Sequence, residues 1–206
     1  MNGPGFEGQV RAVLAVAAAL GRPWALVGGL AVSARAEPRF TRDVDLAVSV
    51  HDDRDAEDAV RTFLSRRYRT IWTLESRVEG RLAGVRLASP GSEATSEEGT
   101  VTDLLFASSG IEPEVSAAAT RVEVTPGLEV PVASVGHLIA LKLLAHDERR
   151  PQDLVDLQAL RRVASVADLD LARGACALIT SRGYHRGKDL EREFVRLTAP
   201  ARPAGE

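Results

Sequence analysis

Hydrophobic and polar positions in the first half of the chain repeat with the periods of strands and helices. Residues 24–27 form a short apolar run that ends at Gly28-Gly29, and a helical pattern follows over residues 30–36. Residues 43–50 alternate polar and apolar side chains, which is typical of a half-buried strand. The same patterns predict further helices over 7–20 and 54–67 and further strands over 68–74, 77–87 and 101–106.

The second half changes from strand to helix periodicity. Residues 89–99 are rich in Ser, Gly and Glu, which predicts an exposed loop, and Thr125-Pro126-Gly127 predicts a hairpin between strands at 121–124 and 128–132. Helical patterns then cover residues 134–145, 151–163, 168–181 and 188–197. We therefore expect an α+β fold, with an α/β core over residues 1–133, a helical C-terminal subdomain packed on it over 134–199, and a tail over 200–206.

The apolar run at residues 12–20 has two interpretations, a secretion signal or a first core helix. A bilayer span needs roughly 20 apolar residues, so the run is too short to be one. The positive charge that a signal peptide carries before its apolar region is weak here, because Glu7 offsets Arg11. We therefore expect a core helix, no membrane association and a cytoplasmic protein.

Composition narrows the class of protein only a little. The 206 residues include 26 basic and 29 acidic side chains, and this mild acidity argues against a protein that coats nucleic acid without specificity. The single cysteine, Cys176, excludes an internal disulfide framework and a multi-cysteine zinc site, and its apolar helical surroundings predict a buried, inert thiol. Only Lys142 and Lys188 among the basic residues are lysines, which makes each of them conspicuous.

Three aspartates are the strongest chemical signal. Asp43 and Asp45 lie two residues apart on a predicted strand, so both carboxylates project from the same face. Such a pair is unfavourable unless a cation joins it, and Mg²⁺ prefers oxygen ligands of this kind. Asp103 lies in a second apolar strand, and if the two strands are neighbours the three carboxylates converge as a two-metal phosphoryl or nucleotidyl transfer requires. The alternative is a solvated strand face.

The pair Gly28-Gly29 adds a second signal to the carboxylates. Glycines between a strand and a helix let the backbone approach a phosphate, which the N–H groups at the start of the helix can bind. A glycine pair is weak evidence by itself. Its position 14 residues before Asp43 strengthens it.

These residues resemble a known superfamily. Gly28-Gly29, Arg39-x-Thr41-x-Asp43-x-Asp45 and Asp103 are similar to the motifs of the nucleotidyltransferases typified by DNA polymerase β. Residues 141–145 (Leu-Lys-Leu-Leu-Ala) and 150–157 are similar to the second signature of the AbiEii/AbiGii-type toxins. The resemblance covers residues 24–160 and implies a polymerase β-like core, a mixed sheet flanked by helices, followed by an α-helical part.

The resemblance also implies an activity and its participants. The enzyme would move a nucleoside monophosphate from an NTP to an acceptor, either tRNA or protein, using two Mg²⁺ ions or Mn²⁺. It would be the toxin of a type IV toxin–antitoxin system, with a cognate antitoxin as partner.

Roles follow for the residues that match the motifs. Asp43 and Asp45 would bind the metal, and Asp103 would be the third ligand or the general base. Gly28 and Gly29 would hold the β- and γ-phosphates, with Arg39 and Thr41 near them. Lys142 would contact the triphosphate or orient the site. Asp153 and Asp156 would position the acceptor or the base. The family's lysine is replaced by Gln152, and Arg149 or Arg150 could substitute for it.

Other interpretations of the sequence stay open. The same first motif would serve an adenylyltransferase acting on a small molecule such as an antibiotic, or a nucleotide-binding module without turnover. Lys142 could be a surface lysine on an apolar helix. Asp153 could have only a structural role, because a negative charge in the first turn of a helix interacts favourably with the helix dipole. Trp24 and Trp72 are expected in the core rather than as platforms for base stacking.

Overall fold

The computed structural model describes residues 5–91, 100–147 and 151–199. Within these ranges the helices are α1 Phe6–Ala18, α2 Gly28–Arg35, α3 Asp53–Leu64, α4 Glu112–Ala117, α5 Val135–Ala145, α6 Pro151–Val163, α7 Val166–Ser181 and α8 Leu190–Thr198. The strands are β1 Trp24–Val27, β2 Asp43–Val48, β3 Arg69–Glu75, β4 Leu82–Ala88, β5 Val101–Leu105, β6 Thr120–Thr125 and β7 Leu128–Val132. The predicted α+β class is confirmed.

The described strands form one seven-stranded mixed sheet in the order β3-β4-β5-β2-β1-β7-β6. β2 pairs with β1 antiparallel and with β5 parallel, so the two aspartate-bearing strands are neighbours, as the three-carboxylate hypothesis requires. The registers place five residues in line across five strands, in the order Trp72, Arg86, Asp103, Asp45 and Val27. We call this line the cross-strand row.

Helix α1 covers part of the core, as the second interpretation of the apolar run predicted. Its residues Val10, Val13, Leu14 and Ala17 are buried, which is the spacing of one helical face. In the part of the chain that the structure describes, no helix combines the length and the apolar character needed to cross a membrane.

The C-terminal helices are attached to the sheet through α5. Ser134 caps this helix by accepting a hydrogen bond from the His137 backbone N–H, and α5 then contacts α2, α6, α7 and α8. Lys142 lies in its last turn. The packing therefore places that lysine near the glycine turn, which begins α2.

Several local predictions were wrong in their bounds. β4 begins at Leu82 rather than at residue 77, because residues 77–80 form a turn that ends at Gly80 with φ +64°. Helix α2 begins at Gly28 instead of residue 30. Helix α7 begins at Val166, since Ser165 is the capping residue and Asp168 completes a capping box three residues later.

Two further differences concern elements and burial. Helix α4 was not predicted, because six residues are too few for a helical period to stand out. Trp24 is buried, as expected, but the prediction of a core position for Trp72 was wrong, since this side chain on the edge strand is 40% exposed. Residues 92–99 of the predicted loop, Arg149, Arg150 and the predicted tail lie outside the described residues.

Candidate active site

The turn between β1 and α2 depends on glycine at both positions. Gly28 has φ +66°, a conformation that favours glycine, and a β-carbon there would collide with the carboxylate of Asp45. A β-carbon on Gly29 would collide with the guanidinium of Arg39. The glycine pair therefore lets one carboxylate and one cation lie directly against the backbone.

The three predicted aspartates lie on adjacent strands in one cleft. Asp45 pairs in register with Asp103, and Asp43 lies two residues before Asp45 on the same strand. The Asp43 side chain is 45% exposed, whereas Asp103 is buried. Burial raises the pKa of Asp45 to about 7, and the negative charges of Asp103 and Asp43 add to this effect.

Arg86, which the sequence analysis did not single out, is the positive charge of this cluster. Its Nε and Nη2 atoms donate to Asp103 Oδ1 and Oδ2 at 2.8 and 2.6 Å, and Nη2 lies 3.6 Å from Asp43 Oδ2. Such a bidentate pair is among the strong hydrogen-bonded contacts in proteins. Both Asp103 oxygens are thus paired with Arg86. Within the described ranges, no group of three His, Cys, Asp or Glu side chains is arranged to hold a metal ion. The metal-ligand role of Asp103 stays a prediction.

A second charged cluster lies around Asp156. Lys142 Nζ is 2.7 Å from Asp153 Oδ1 and 2.8 Å from Asp156 Oδ2. Arg39 approaches the same Asp156 with Nε 2.6 Å from Oδ1 and Nη2 2.9 Å from Oδ2. Lys142 is thus a largely buried ion-pair partner and not a surface lysine, and the two helical aspartates contact the site's cations.

Burial and pairing act against each other at Asp156. Burial alone would raise its pKa, but hydrogen bonds from Arg39 and Lys142 outweigh this and lower the pKa below its usual value. Gln152 Nε2 also donates to Asp156 Oδ1 at 3.2 Å. The residue that replaces the family's lysine therefore contacts the same carboxylate as a neutral donor.

The two clusters face one cleft of about 560 Å³. Its walls include these predicted site residues: Gly28, Gly29, Arg39, Thr41, Asp43, Asp45, Asp103, Lys142 and Asp153. Asp156 does not line the cleft and lies beneath it, 1% exposed. The structure thus brings the predicted residues together around one space.

Other cleft residues were missed by sequence reasoning. Glu112 is buried, and its Oε1 accepts hydrogen bonds from the backbone N–H groups of Ser108 and Ser109 at 2.9 and 2.7 Å. Burial raises the pKa of Glu112. Arg186, with φ +54°, reaches across to donate to the Ser108 carbonyl at 2.9 Å. No motif pointed to these residues, because their contact with the site depends on tertiary packing.

The comparison with family models agrees with the sequence motifs. Residues 11–203 match the model of the family described as nucleotidyl transferase AbiEii toxin of a type IV toxin–antitoxin system. A search of curated proteins finds no match. Among solved structures, the antibiotic-resistance factor ANT(2'')-Ia is 19% identical over 92% of this chain and 90% of that one, with a TM-score of 0.47. JHP933 from Helicobacter pylori is 16% identical over 93% of this chain and 87% of that one, with a TM-score of 0.44.

Proposed function

This chain belongs to the AbiEii family of nucleotidyl transferase toxins, and on that premise we propose that it transfers a nucleoside monophosphate from an NTP to an acceptor. The acceptor is an RNA such as tRNA or a protein, and the reaction requires Mg²⁺ or Mn²⁺. The observation that carries the proposal is the position of Asp45, which lies against Gly28 on one side and pairs with Asp103 on the other.

The donor groups of the cleft fit a hard divalent cation. Asp43 and Asp45 offer carboxylate oxygens from one strand face. Burial, together with the negative charges of Asp103 and Asp43, raises the pKa of Asp45. These two residues would hold the metal, with Asp103 as a third ligand or as the general base. A bound ion would neutralise the triphosphate and stabilise the charge that develops on the transferred phosphoryl group.

The remaining motif residues suit the binding of a triphosphate. Gly28 and Gly29 begin α2 and line the cleft, and the N–H groups at the start of this helix would bind the β- and γ-phosphates. Arg39 and Lys142 lie on the same cleft, and Asp156 and Asp153 hold these cations in place. Thr41 lines the same cleft.

Asp103 is suited to act on the acceptor. It lies in the cleft beside Asp45, and its two hydrogen bonds from Arg86 fix the orientation of the carboxylate. In the in-line reaction, the acceptor hydroxyl would give its proton to Asp103 as its oxygen bonds to the α-phosphorus, and the bond to the pyrophosphate oxygen would break so that pyrophosphate leaves.

The transfer is tested with purified protein, Mg²⁺ and each of the four NTPs labelled at the α-phosphate. Total RNA is the acceptor in one arm and cell-extract protein in the other. We expect the label to enter one acceptor pool with the wild type and not with Asp43→Asn, Asp45→Asn. The matched control is Asp58→Asn, which removes an exposed carboxylate on α3. Equal labelling by the wild type and the double variant would refute the proposal.

We further propose that the protein acts as a toxin with a cognate antitoxin, as the description of its family suggests. Expression of the wild type is expected to arrest the growth of a bacterial host, and expression of the double variant is not. Equal growth of both strains at equal protein levels would remove the toxin role and leave the transfer reaction to be judged by the labelling assay.

A further inference from the structure

A tryptophan on the edge strand faces the same cleft as the carboxylates. Trp72 and Leu74, two residues apart on β3, both line the cleft and are 40% and 45% exposed. Large apolar side chains exposed together at a polar cleft are typical of a ligand-binding surface. We call this pair the edge platform.

The indole of Trp72 is held from one side by Arg86. The guanidinium carbon of Arg86 lies 5.5 Å from the indole ring centroid, within the range of a cation–π contact. The same guanidinium is fixed by its two hydrogen bonds to Asp103. The ring is therefore tied to the catalytic carboxylates through one rigid, planar neighbour.

The cross-strand row shows that the edge platform and the glycine turn lie on opposite sides of the carboxylates. The glycine turn follows β1, which lies on one side of β2 and β5, and Trp72 lies two strands beyond Asp103 on the other side. Two strand spacings correspond to roughly 10 Å. Attacking and leaving oxygens lie in line on opposite sides of the phosphorus. If the pyrophosphate lies at the glycine turn, the acceptor enters from the Trp72 side.

We propose that the edge platform is the acceptor subsite and that a nucleobase of an RNA acceptor stacks on Trp72, with Leu74 extending the apolar surface. Nucleobases stack on aromatic side chains with little dependence on sequence, and a guanidinium beside the ring attracts the neighbouring phosphate. A protein acceptor has no nucleobase to stack on this ring. The assignment rests on the proposed function, because that function decides which side of the carboxylates the acceptor occupies.

The two tryptophans of the chain permit a direct test. The variant Trp24→Phe keeps only Trp72, and Trp72→Phe keeps only the buried Trp24 as a matched control. Each protein is titrated with a single-stranded RNA of about eight nucleotides, with EDTA present and NTP absent. A second titration uses an abasic oligomer of the same length, which has the sugars and phosphates but no rings.

We expect the RNA to quench Trp72 and not Trp24, and the abasic oligomer to leave Trp72 emission unchanged. Trp72→Ala should weaken RNA binding about tenfold, and Trp72→Phe should weaken it less because a phenyl ring still stacks. Equal quenching by both oligomers, or equal RNA affinity of Trp72→Ala and the wild type, would overturn the proposal. Quenching of Trp72 by Mg·NTP alone would also overturn it, because the ring would then belong to the donor base.

Base stacking on Trp72 and nucleotidyl transfer are tested by separate measurements, so either can be refuted without the other. If RNA quenches Trp72 but no label is transferred, stacking on the edge platform is supported and the proposed transfer reaction is refuted. If the label enters protein, and the wild type and Trp72→Ala transfer it at equal rates, the transfer reaction is supported and the acceptor role of the edge platform is refuted.

Discussion

At the residue scale, the site is governed by how each buried charge is balanced. Asp103 is paired with Arg86, and Asp156 with Arg39 and Lys142, whereas Asp45 lies between two other carboxylates. An unbalanced carboxylate in such a place binds a proton or a cation. If the proposed function holds, Asp45 is therefore the residue at which pH and metal binding are coupled.

Metal binding should therefore weaken as the pH falls through 7. The pKa of Asp45 is about 7 in the folded protein and 3.8 for a free side chain, so the folded protein takes up the extra proton between these values. Its unfolding free energy falls as the pH rises through this window, and Mn²⁺ affinity rises over the same window because ion and proton compete. Calorimetric titration with Mn²⁺ at about pH 5.5 and about pH 8 measures the change in Mn²⁺ affinity. Equal affinity at both values would contradict it, and Asp45→Asn should abolish the dependence.

The pairing of Asp156 predicts a loss of stability when its charge is removed. Asp156→Asn leaves Arg39 without its buried carboxylate partner and should lower the free energy of unfolding by about 3 kcal/mol. Urea denaturation measures the change, with Asp58→Asn as the exposed control. A loss no larger than that of the control would show that the cluster around Asp156 does not support the fold.

At the scale of elements, the site is the result of strand register and helix ends. Short apolar runs predicted β1 and β5, residue alternation predicted β2, and the glycine pair predicted the turn after β1, because these signals are local in the sequence. Strand order is not local. Arg86 meets Asp103 only because β4 pairs with β5 in that register, and Arg186 meets Ser108 across 78 residues. No periodicity in the sequence contains this information, so these contacts were missed.

Lys188, the second lysine of the chain, binds the C-terminal end of helix α5. Lys188 Nζ donates to the carbonyls of Leu143 and Leu144, at 3.3 and 2.8 Å, and to that of His146. The last carbonyls of a helix have no partner within the helix, so this ammonium caps the C-terminal end of α5, which carries Lys142.

Removal of the cap should destabilise α5. We expect Lys188→Met to lower the free energy of unfolding by about 2 kcal/mol, because hydrogen bonds to a charged donor are lost. Hydrogen exchange should show faster exchange of the α5 amides than in Arg192→Met, an exposed control on α8. Unchanged α5 protection in Lys188→Met would refute the capping role.

At the scale of the whole molecule, the predicted α/β core and helical part share one apolar core. The buried cluster runs from Val10 in α1 to Phe194 in α8 and includes Leu138 and Ile139 of α5. We place the boundary between the two parts at residues 133 and 134, where β7 ends and α5 is capped, as a proposal about organisation. The shared core means that neither part has its own separate interior.

The shared core predicts a single cooperative unfolding transition. Far-UV circular dichroism reports mainly the helices, and the fluorescence of the buried Trp24 reports the sheet. Thermal curves from the two probes are expected to coincide. Two separate transitions would show that the C-terminal helices unfold as an independent unit.

We propose that the cleft transfers a nucleoside monophosphate from an NTP, and not the terminal phosphoryl group. The most direct measurement compares one NTP labelled at the α-phosphate with the same NTP labelled at the γ-phosphate, each incubated with the protein, Mg²⁺ and the acceptor. We expect the α-label to appear in the acceptor and the γ-label in free pyrophosphate, with neither product formed by Asp43→Asn, Asp45→Asn. Transfer of the γ-label to the acceptor, or no transfer of either label, would contradict it.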